Sequence, residues 1–249
     1  MQSPSVAQLK IKIFADGADL KSMKEAAANP LVKGFTTNPT LMRAAGVSDY
    51  KAFALDVLKA IPERPVSFEV FADDFPTMDD QAREIASWGS NVYVKIPVTN
   101  TKGDFSGPLI ATLSRAGVKL NVTAVFTLEQ VGKIAAALAE DTPSVVSIFA
   151  GRIADTGRDP VPHMREALAL LERRPNAELL WASPRELLNI FQADEIGCHI
   201  ITVTADVIKK LALVGKDMND YSRDTVMMFH RDATTAGFSI PLAARRAAS

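Results

Sequence analysis

The sequence predicts an α/β fold in which eight parallel strands alternate with helices and close into a (β/α)8 barrel, followed by one extra C-terminal helix. Three observations carry that prediction. Apolar runs of four to six residues, rich in Val and Ile, recur eight times along the chain. Segments with helical spacing separate them, an alternation that demands parallel strands joined by crossover helices. A length of 249 residues, 47% of them hydrophobic, is the ordinary size of one such barrel and can bury a sizeable core.

The first strand is IKIF (residues 11–14), and a helix is expected over 19–29. VKGFT (32–36) leads to a helix over 50–61, and VSFEVF (66–71) to one over 77–88. The fourth strand, VYVKI (92–96), is apolar at nearly every position, as suits a parallel strand covered on both faces, and its helix spans 108–116. KLNVTAV (119–125), VVSIF (145–149) and ELLWA (178–182) precede helices over 128–139, 161–172 and 185–193. IITV (200–203) with a helix over 205–214 completes the eight units. A helix over 221–236 remains, to pack either across the barrel or onto a neighbouring subunit.

No repeat, low-complexity tract or linker divides the chain, so one domain is expected over 1–249, with the barrel at about 9–220 and a C-terminal helix and tail at 221–242. Residues 1–8 and 243–249 are too poor in anchors to be expected in order. The alternative architecture is an open doubly wound sheet. No GxGxxG follows the first strand, however, and no GxxxxGK[ST] occurs.

Charge excludes some partners. With 28 Lys plus Arg against 29 Asp plus Glu there is no overall positive field to hold nucleic acid, so any anion must be gripped locally. No apolar run approaches the roughly 20 residues that cross a bilayer, so no membrane partner is expected. The single cysteine, Cys198, cannot form an internal disulfide, and the opening MQSPSVAQLKIKIF does not read as a secretion signal; a cytoplasmic protein is expected.

Barrel enzymes work at the C-terminal ends of their strands. The polar residues expected there are Asp16; Thr36, Thr37 and Asn38; Glu69; Lys95; Asn121 and Thr123; Arg152; and Ser183 with Arg185. Lys95 is the most informative. An ammonium between Val94 and Ile96 loses hydration, which favours the uncharged amine, and an uncharged amine can attack a ketone. It could equally be a charge guarding a strand edge or a snorkelling side chain. Asp16 and Glu69 would be general acid and base groups if they share its cavity, or else a helix cap and a salt-bridge partner. Arg152, Ser183 and Arg185 could clamp a phosphate, with Ser183-Pro184 opening a helix whose amides face the anion, or could form ordinary rim salt bridges. His163, His199 and His230 lack metal-ligand spacing, so no metal is expected, and there is no GxSxG elbow.

Taken together, FADGAD (14–19), GFTTNPTL (34–41), SFEVFA (67–72), VYVKIPVT (92–99), LNVTAVFT (120–127), SIFAGRIADTGRD (147–159) and WASPRE (181–186) resemble the transaldolase family, in order, over all but the chain ends. The resemblance implies a Schiff base on Lys95, acid-base work by Asp16, and a catalytic water held by Glu69 and Thr123, without metal or organic cofactor. It further implies that Thr37, Asn38, Asn121, Ser147 and Phe149 border the sugar, while Arg152, Ser183 and Arg185 take the phosphate. The implied reaction moves a dihydroxyacetone unit between sugar phosphates, as in the pentose phosphate pathway. Fructose-6-phosphate aldolase looks similar but usually carries Gln and Tyr where this chain has Glu69 and Phe149, and tends to carry Lys at Arg185. Transfer rather than release is therefore expected. A third reading is a non-catalytic sugar-phosphate-binding barrel, but it has no need of a lysine buried in an apolar strand.

Three departures, Gly17 after the first Asp, Pro184 between Ser183 and Arg185, and the longer loop TNTKGDFSG (99–107), leave room for a modified sugar. The length resembles shorter subfamilies whose members assemble as rings, which implies a homo-oligomer, pentamer or decamer.

Overall fold

In the computed structural model, which describes residues 5–240, the eight predicted strands form a closed parallel barrel in sequence order. They are β1 (Lys12–Asp16), β2 (Val32–Thr36), β3 (Val66–Glu69), β4 (Val92–Pro97), β5 (Leu120–Val125), β6 (Ser144–Ile148), β7 (Ala177–Trp181) and β8 (Ile200–Thr204), with β8 pairing back onto β1. Helices α1 (Leu20–Ala27), α3 (Tyr50–Ala60), α4 (Phe75–Ala86), α5 (Gly107–Arg115), α6 (Leu128–Ala137), α8 (Pro160–Leu171), α9 (Leu188–Glu195) and α10 (Ala205–Lys210) fill the predicted helical segments. Two short helices were not expected: α2 (Pro39–Ala44) after β2 and α7 (Ala150–Ala154) after β6.

Local chemistry fixes where the long helices start. Asp19, Asp49, Asp74 and Asp159 each cap an N-terminus by accepting from an amide two or three residues on, and Thr127 with Gln130 forms a capping box on α6. Each such cap stabilises by about 0.5–2 kcal/mol. Between strands and helices, Val32, Val66, Val94, Val122, Val146 and Val203 are fully buried, as expected of strands covered on both faces. Inside the barrel, Phe14, Val145, Leu180, Ala182 and Ile200 form a separate cluster, with Tyr93 and Phe149 against it. Gly34 makes room for it, since a Cβ there would lie 2.5 Å from the Phe14 ring.

One compact unit, Ala7–Leu211, carries the barrel. A second unit starts at Ala212 and contains α11 (Met218–Thr235), capped by Asp217, none of whose residues is buried. Val6–Gln8 form one 3-10 turn, although disorder was expected through residue 8; residues 1–4 and 243–249 lie outside the described residues. No described helix is long and apolar enough to cross a membrane.

Candidate active site

The C-terminal strand ends open onto a cavity of about 400 Å³. Of the thirteen site residues expected from the sequence, eleven line it: Asp16, Thr36, Asn38, Glu69, Lys95, Asn121, Thr123, Ser147, Phe149, Arg152 and Ser183. Thr37 and Arg185 do not, each for a visible reason given below.

Lys95 reaches the cavity because Val94 and Ile96 on either side of it are fully buried and strand alternation turns it to the opposite face. It is 6% exposed in a closed sheet, so it guards no edge. A buried ammonium needs compensation. Nζ lies 3.0 Å from Glu69 Oε2 and donates to the Thr37 carbonyl at 2.8 Å. Thr37 therefore serves the site through its backbone, while its hydroxyl donates to the Ser67 carbonyl at 2.9 Å. Glu69, Lys95 and Asn121 are lateral neighbours in register on β3, β4 and β5.

Asp16 ends β1 beside this pair. Burial pushes its carboxyl above the usual carboxylate range; a hydrogen bond from Thr36 and the Lys95 charge pull the other way, and Glu69 adds to the rise. Thr36 Oγ1 donates to Asp16 Oδ1 at 2.8 Å and lies 2.5 Å from Thr202 Oγ1. A hydroxyl has one proton to give, so Thr202 donates to Thr36 and the chain runs Thr202, Thr36, Asp16. Thr202 also lines the cavity and was missed from the sequence. Its signal was a hydroxyl within the otherwise apolar IITV.

A second buried chain fixes Asn121, which donates to Ser67 Oγ at 3.1 Å and accepts from Ser147 Oγ at 2.6 Å. Just beyond, the pairing of β5 with β6 slips between Val122 and Val125, and Ala124 takes φ 57°. A non-glycine residue held there stores strain of order 1–3 kcal/mol. This bulge brings consecutive residues, Thr123 and Ala124, to the cavity wall.

The opposite wall is built by close approach. Gly151 donates its amide to the Ala182 carbonyl at 3.3 Å, and a Cβ on it would sit 1.5 Å from the Ser183 oxygen. Only glycine admits the β7 exit so near to α7. Ser183 itself has φ 56°. The expectation that Ser183-Pro184 opens a helix is corrected here, because α9 begins at Leu188. The residue before a proline disfavours helical geometry, and Asn189 Oδ1 instead accepts from the amides of Arg185 and Glu186 at 2.8 and 3.1 Å. The Arg185 guanidinium grips Asp155, with Nε 2.8 Å from Oδ1 and Nη2 2.5 Å from Oδ2, which explains its absence from the cavity wall. That hydrogen bonding holds the Asp155 carboxyl below its ordinary value. Arg152 instead lies over the Phe149 ring, 4.9 Å from its centre.

Asn38 faces the cavity while capping α2, accepting from the Leu41 amide at 3.0 Å. The loop over 99–107 closes on itself through a Thr99–Phe105 bridge, is pinned where Thr101 donates twice to Asp73, and does not line the cavity. His199 accepts from the Leu179 amide at 3.0 Å, and burial pushes the Cys198 thiol up to about 12, so neither stands as a reactive group.

Comparison with known proteins matches these features to one family. Residues 13–240 match the model of a family described as transaldolase/fructose-6-phosphate aldolase. A "Probable transaldolase" of Dehalococcoides mccartyi is 35% identical over 204 residues, 81% of this chain and 90% of that protein. Another of Methanococcus maripaludis is 34% identical over 202 residues, 81% and 89% of the two chains. Among solved structures, 3-hexulose-6-phosphate synthase superposes with a TM-score of 0.55 at 16% identity, covering 83% of this chain and 98% of that one, a likeness of fold alone. The chain belongs to the transaldolase/fructose-6-phosphate aldolase family.

Proposed function

We propose that this protein is a transaldolase that carries a dihydroxyacetone unit, as a Schiff base on Lys95, from a ketose phosphate to an aldose phosphate. The donor would be of the sedoheptulose 7-phosphate or fructose 6-phosphate type, the acceptor glyceraldehyde 3-phosphate or erythrose 4-phosphate. One observation carries the reading: a primary amine, 6% exposed, lies in the barrel mouth within 3.0 Å of a carboxylate.

The Lys95 amine adds to the ketone, and the resulting carbinolamine loses water to give an iminium. Glu69, beside Nζ, and Thr123, on the same wall, suit the handling of that water. The iminium is an electron sink: a base removes the C4 hydroxyl proton, the C3–C4 bond breaks, an aldose phosphate leaves and an enamine stays on Lys95. Asp16, whose raised carboxyl pKa brings it nearer neutrality, suits that proton transfer. The enamine then attacks the acceptor aldehyde while Asp16 returns the proton to the new hydroxyl, and hydrolysis of the iminium frees the product ketose. Arg152 and Ser183 at the rim would hold the phosphate, joined by Arg185 once it leaves Asp155.

The aldolase alternative shares every step up to the enamine, which is then protonated to release dihydroxyacetone. Phe149 on the cavity wall offers no phenol to deliver that proton, which favours transfer.

Borohydride reduction in the presence of fructose 6-phosphate, read by intact mass, tests the reading. Wild type is expected to gain one reduced dihydroxyacetone unit and Lys95→Ala none. An adduct of equal yield on Lys95→Ala, or none on wild type with either donor, overturns it. Product analysis without an acceptor separates transfer from release.

The same reading takes the protein to be a cytoplasmic homo-oligomer, pentamer or decamer. Met218, Val226, Met227 and Phe229 on α11 are exposed apolar side chains that a neighbouring subunit would cover. Light scattering that finds only monomer would sink the assembly.

A further inference from the structure

We infer that Tyr50 is a positioning residue: its hydroxyl replaces a missing strand partner for Glu69 and so fixes the Glu69 carboxylate against Lys95. The inference rests on the proposed Schiff-base role of Lys95.

Strand β2 pairs with β3 at only two positions, Phe35 with Val66 and Thr36 with Ser67. The chain then turns into α2, where Pro39 has no amide to give. In β3 the amides of Val66 and Val70 donate to β4, at Asn91 and Lys95, whereas the Ser67 carbonyl accepts from Thr37 on the β2 side. Alternation therefore aims the Glu69 amide and carbonyl toward β2, one step past where β2 departs. Both would be orphaned inside the protein. Tyr50 fills the gap: its hydroxyl accepts from the Glu69 amide at 2.7 Å and donates to the Glu69 carbonyl at 2.9 Å.

The ring that carries this hydroxyl is itself held. Phe71 lies 4.6 Å away, Trp88 5.5 Å and Phe68 6.2 Å between ring centres, the last two edge-on. Burial pushes the Tyr50 phenol far above its ordinary value, so it stays neutral and keeps the proton it donates. Asp49, the residue before it, caps α3, so the start of that helix is placed by its own sequence. Tyr50 thus ties the start of α3 to the end of β3, and the side chain leaving β3 there is the carboxylate 3.0 Å from Lys95 Nζ.

Four proteins test this: wild type, Tyr50→Phe, Glu69→Gln and the double variant, each checked for fold by circular dichroism. Tyr50→Phe is expected to lower kcat between about ten- and a hundredfold, the cost of misplacing a catalytic group by up to an ångström, with KM nearly unchanged. In the Glu69→Gln background the same substitution is expected to cost little more, because Tyr50 acts through Glu69. Losses that multiply independently overturn the inference.

A second readout needs no sugar: trace acetylation of Lys95 with acetic anhydride, measured against Lys209. Freeing Nζ from the carboxylate 3.0 Å away is expected to speed acetylation of Lys95 in Tyr50→Phe, and an unchanged ratio overturns the inference. Placing 4-aminophenylalanine at position 50 keeps a donor for the carbonyl but accepts poorly from the amide. That variant is expected between the other two, and it carries the acetylation test alone if Tyr50→Phe does not fold. The two readings separate. Altered acetylation with no borohydride adduct on wild type upholds the positioning and refutes the Schiff base. A wild-type adduct with unaltered Tyr50→Phe does the reverse.

Discussion

Gly151→Ala is the substitution whose effect can be worked furthest from geometry. The added Cβ would meet the Ser183 carbonyl oxygen at 1.5 Å, whereas ordinary contact begins at 3.4 Å, so one backbone must retreat by about 2 Å. Neither side yields cheaply. Gly151 lies in α7 and donates to the Ala182 carbonyl, and Ser183 already occupies φ 56°. Overpacking of this kind costs typically about 1–3 kcal/mol, which for a chain of this size lowers Tm by roughly 2–12 °C. The displaced segment carries Ser183 and Arg185, so the functional loss should fall on phosphate recognition. Turnover of fructose 6-phosphate should drop about a hundredfold in kcat/KM, as for a 1 Å misplacement, with a much smaller drop for unphosphorylated fructose. Calorimetry and paired kinetics on the two sugars measure both. A Gly151→Ala protein with wild-type Tm and wild-type kcat/KM for the phosphorylated sugar would refute the close-approach reasoning.

Two further substitutions probe the charges of the site. Asp16→Asn should melt above wild type at pH 7. Burial raises the folded carboxyl above its ordinary 3.8, so the native state binds the proton more tightly than the unfolded chain, and wild type loses stability as pH rises through that window. The advantage should shrink as pH falls toward 3.8, and a difference independent of pH across that range would contradict it. Asp155→Asn removes the exposed charged partner that engages Arg185 away from the cavity, so KM for a phosphorylated donor should fall by about two- to fivefold. A rise in KM would mean that the pair aims Arg185 at the anion.

How much of this was legible in the sequence follows from which interactions are local. The strands were readable because a parallel strand covered on both faces leaves a continuous apolar run, and Lys95 was readable because it interrupts one. The long helices carry several turns of apolar spacing; α2 and α7, with six and five residues, are too short to show a period. The end of β3 at Glu69 rather than at residue 71 depends on where β2 departs, which VSFEVF alone does not reveal. That Arg185 pairs with Asp155, 30 residues away, was not legible, because only the barrel brings the two together. Thr202 needed Thr36 across 166 residues to acquire meaning.

The residues that escaped the sequence share a place, and that place explains why chemistry collects there. Below the mouth, strand pairing slips once, between Ile13 and Phe14 where β1 meets β2. At the mouth it fails in three different ways: β2 leaves β3 early, β5 bulges at Ala124, and the exit of β7 runs against Gly151. Each failure strands backbone polar groups or strains a residue, and the fold must answer with a side chain or a glycine. Tyr50 answers the first, and the bulge turns Thr123 and Ala124 together onto the wall. The Gly151 contact sets Ser183 on the cavity wall. If these irregularities were incidental to the site, regularising them should leave it intact. Replacing strained Ala124 by Gly would then raise stability without cost to turnover. If they aim the site, the same change, by freeing the bulge, should lower kcat while Tm holds or rises, and the sign of that pair of measurements decides between the two accounts.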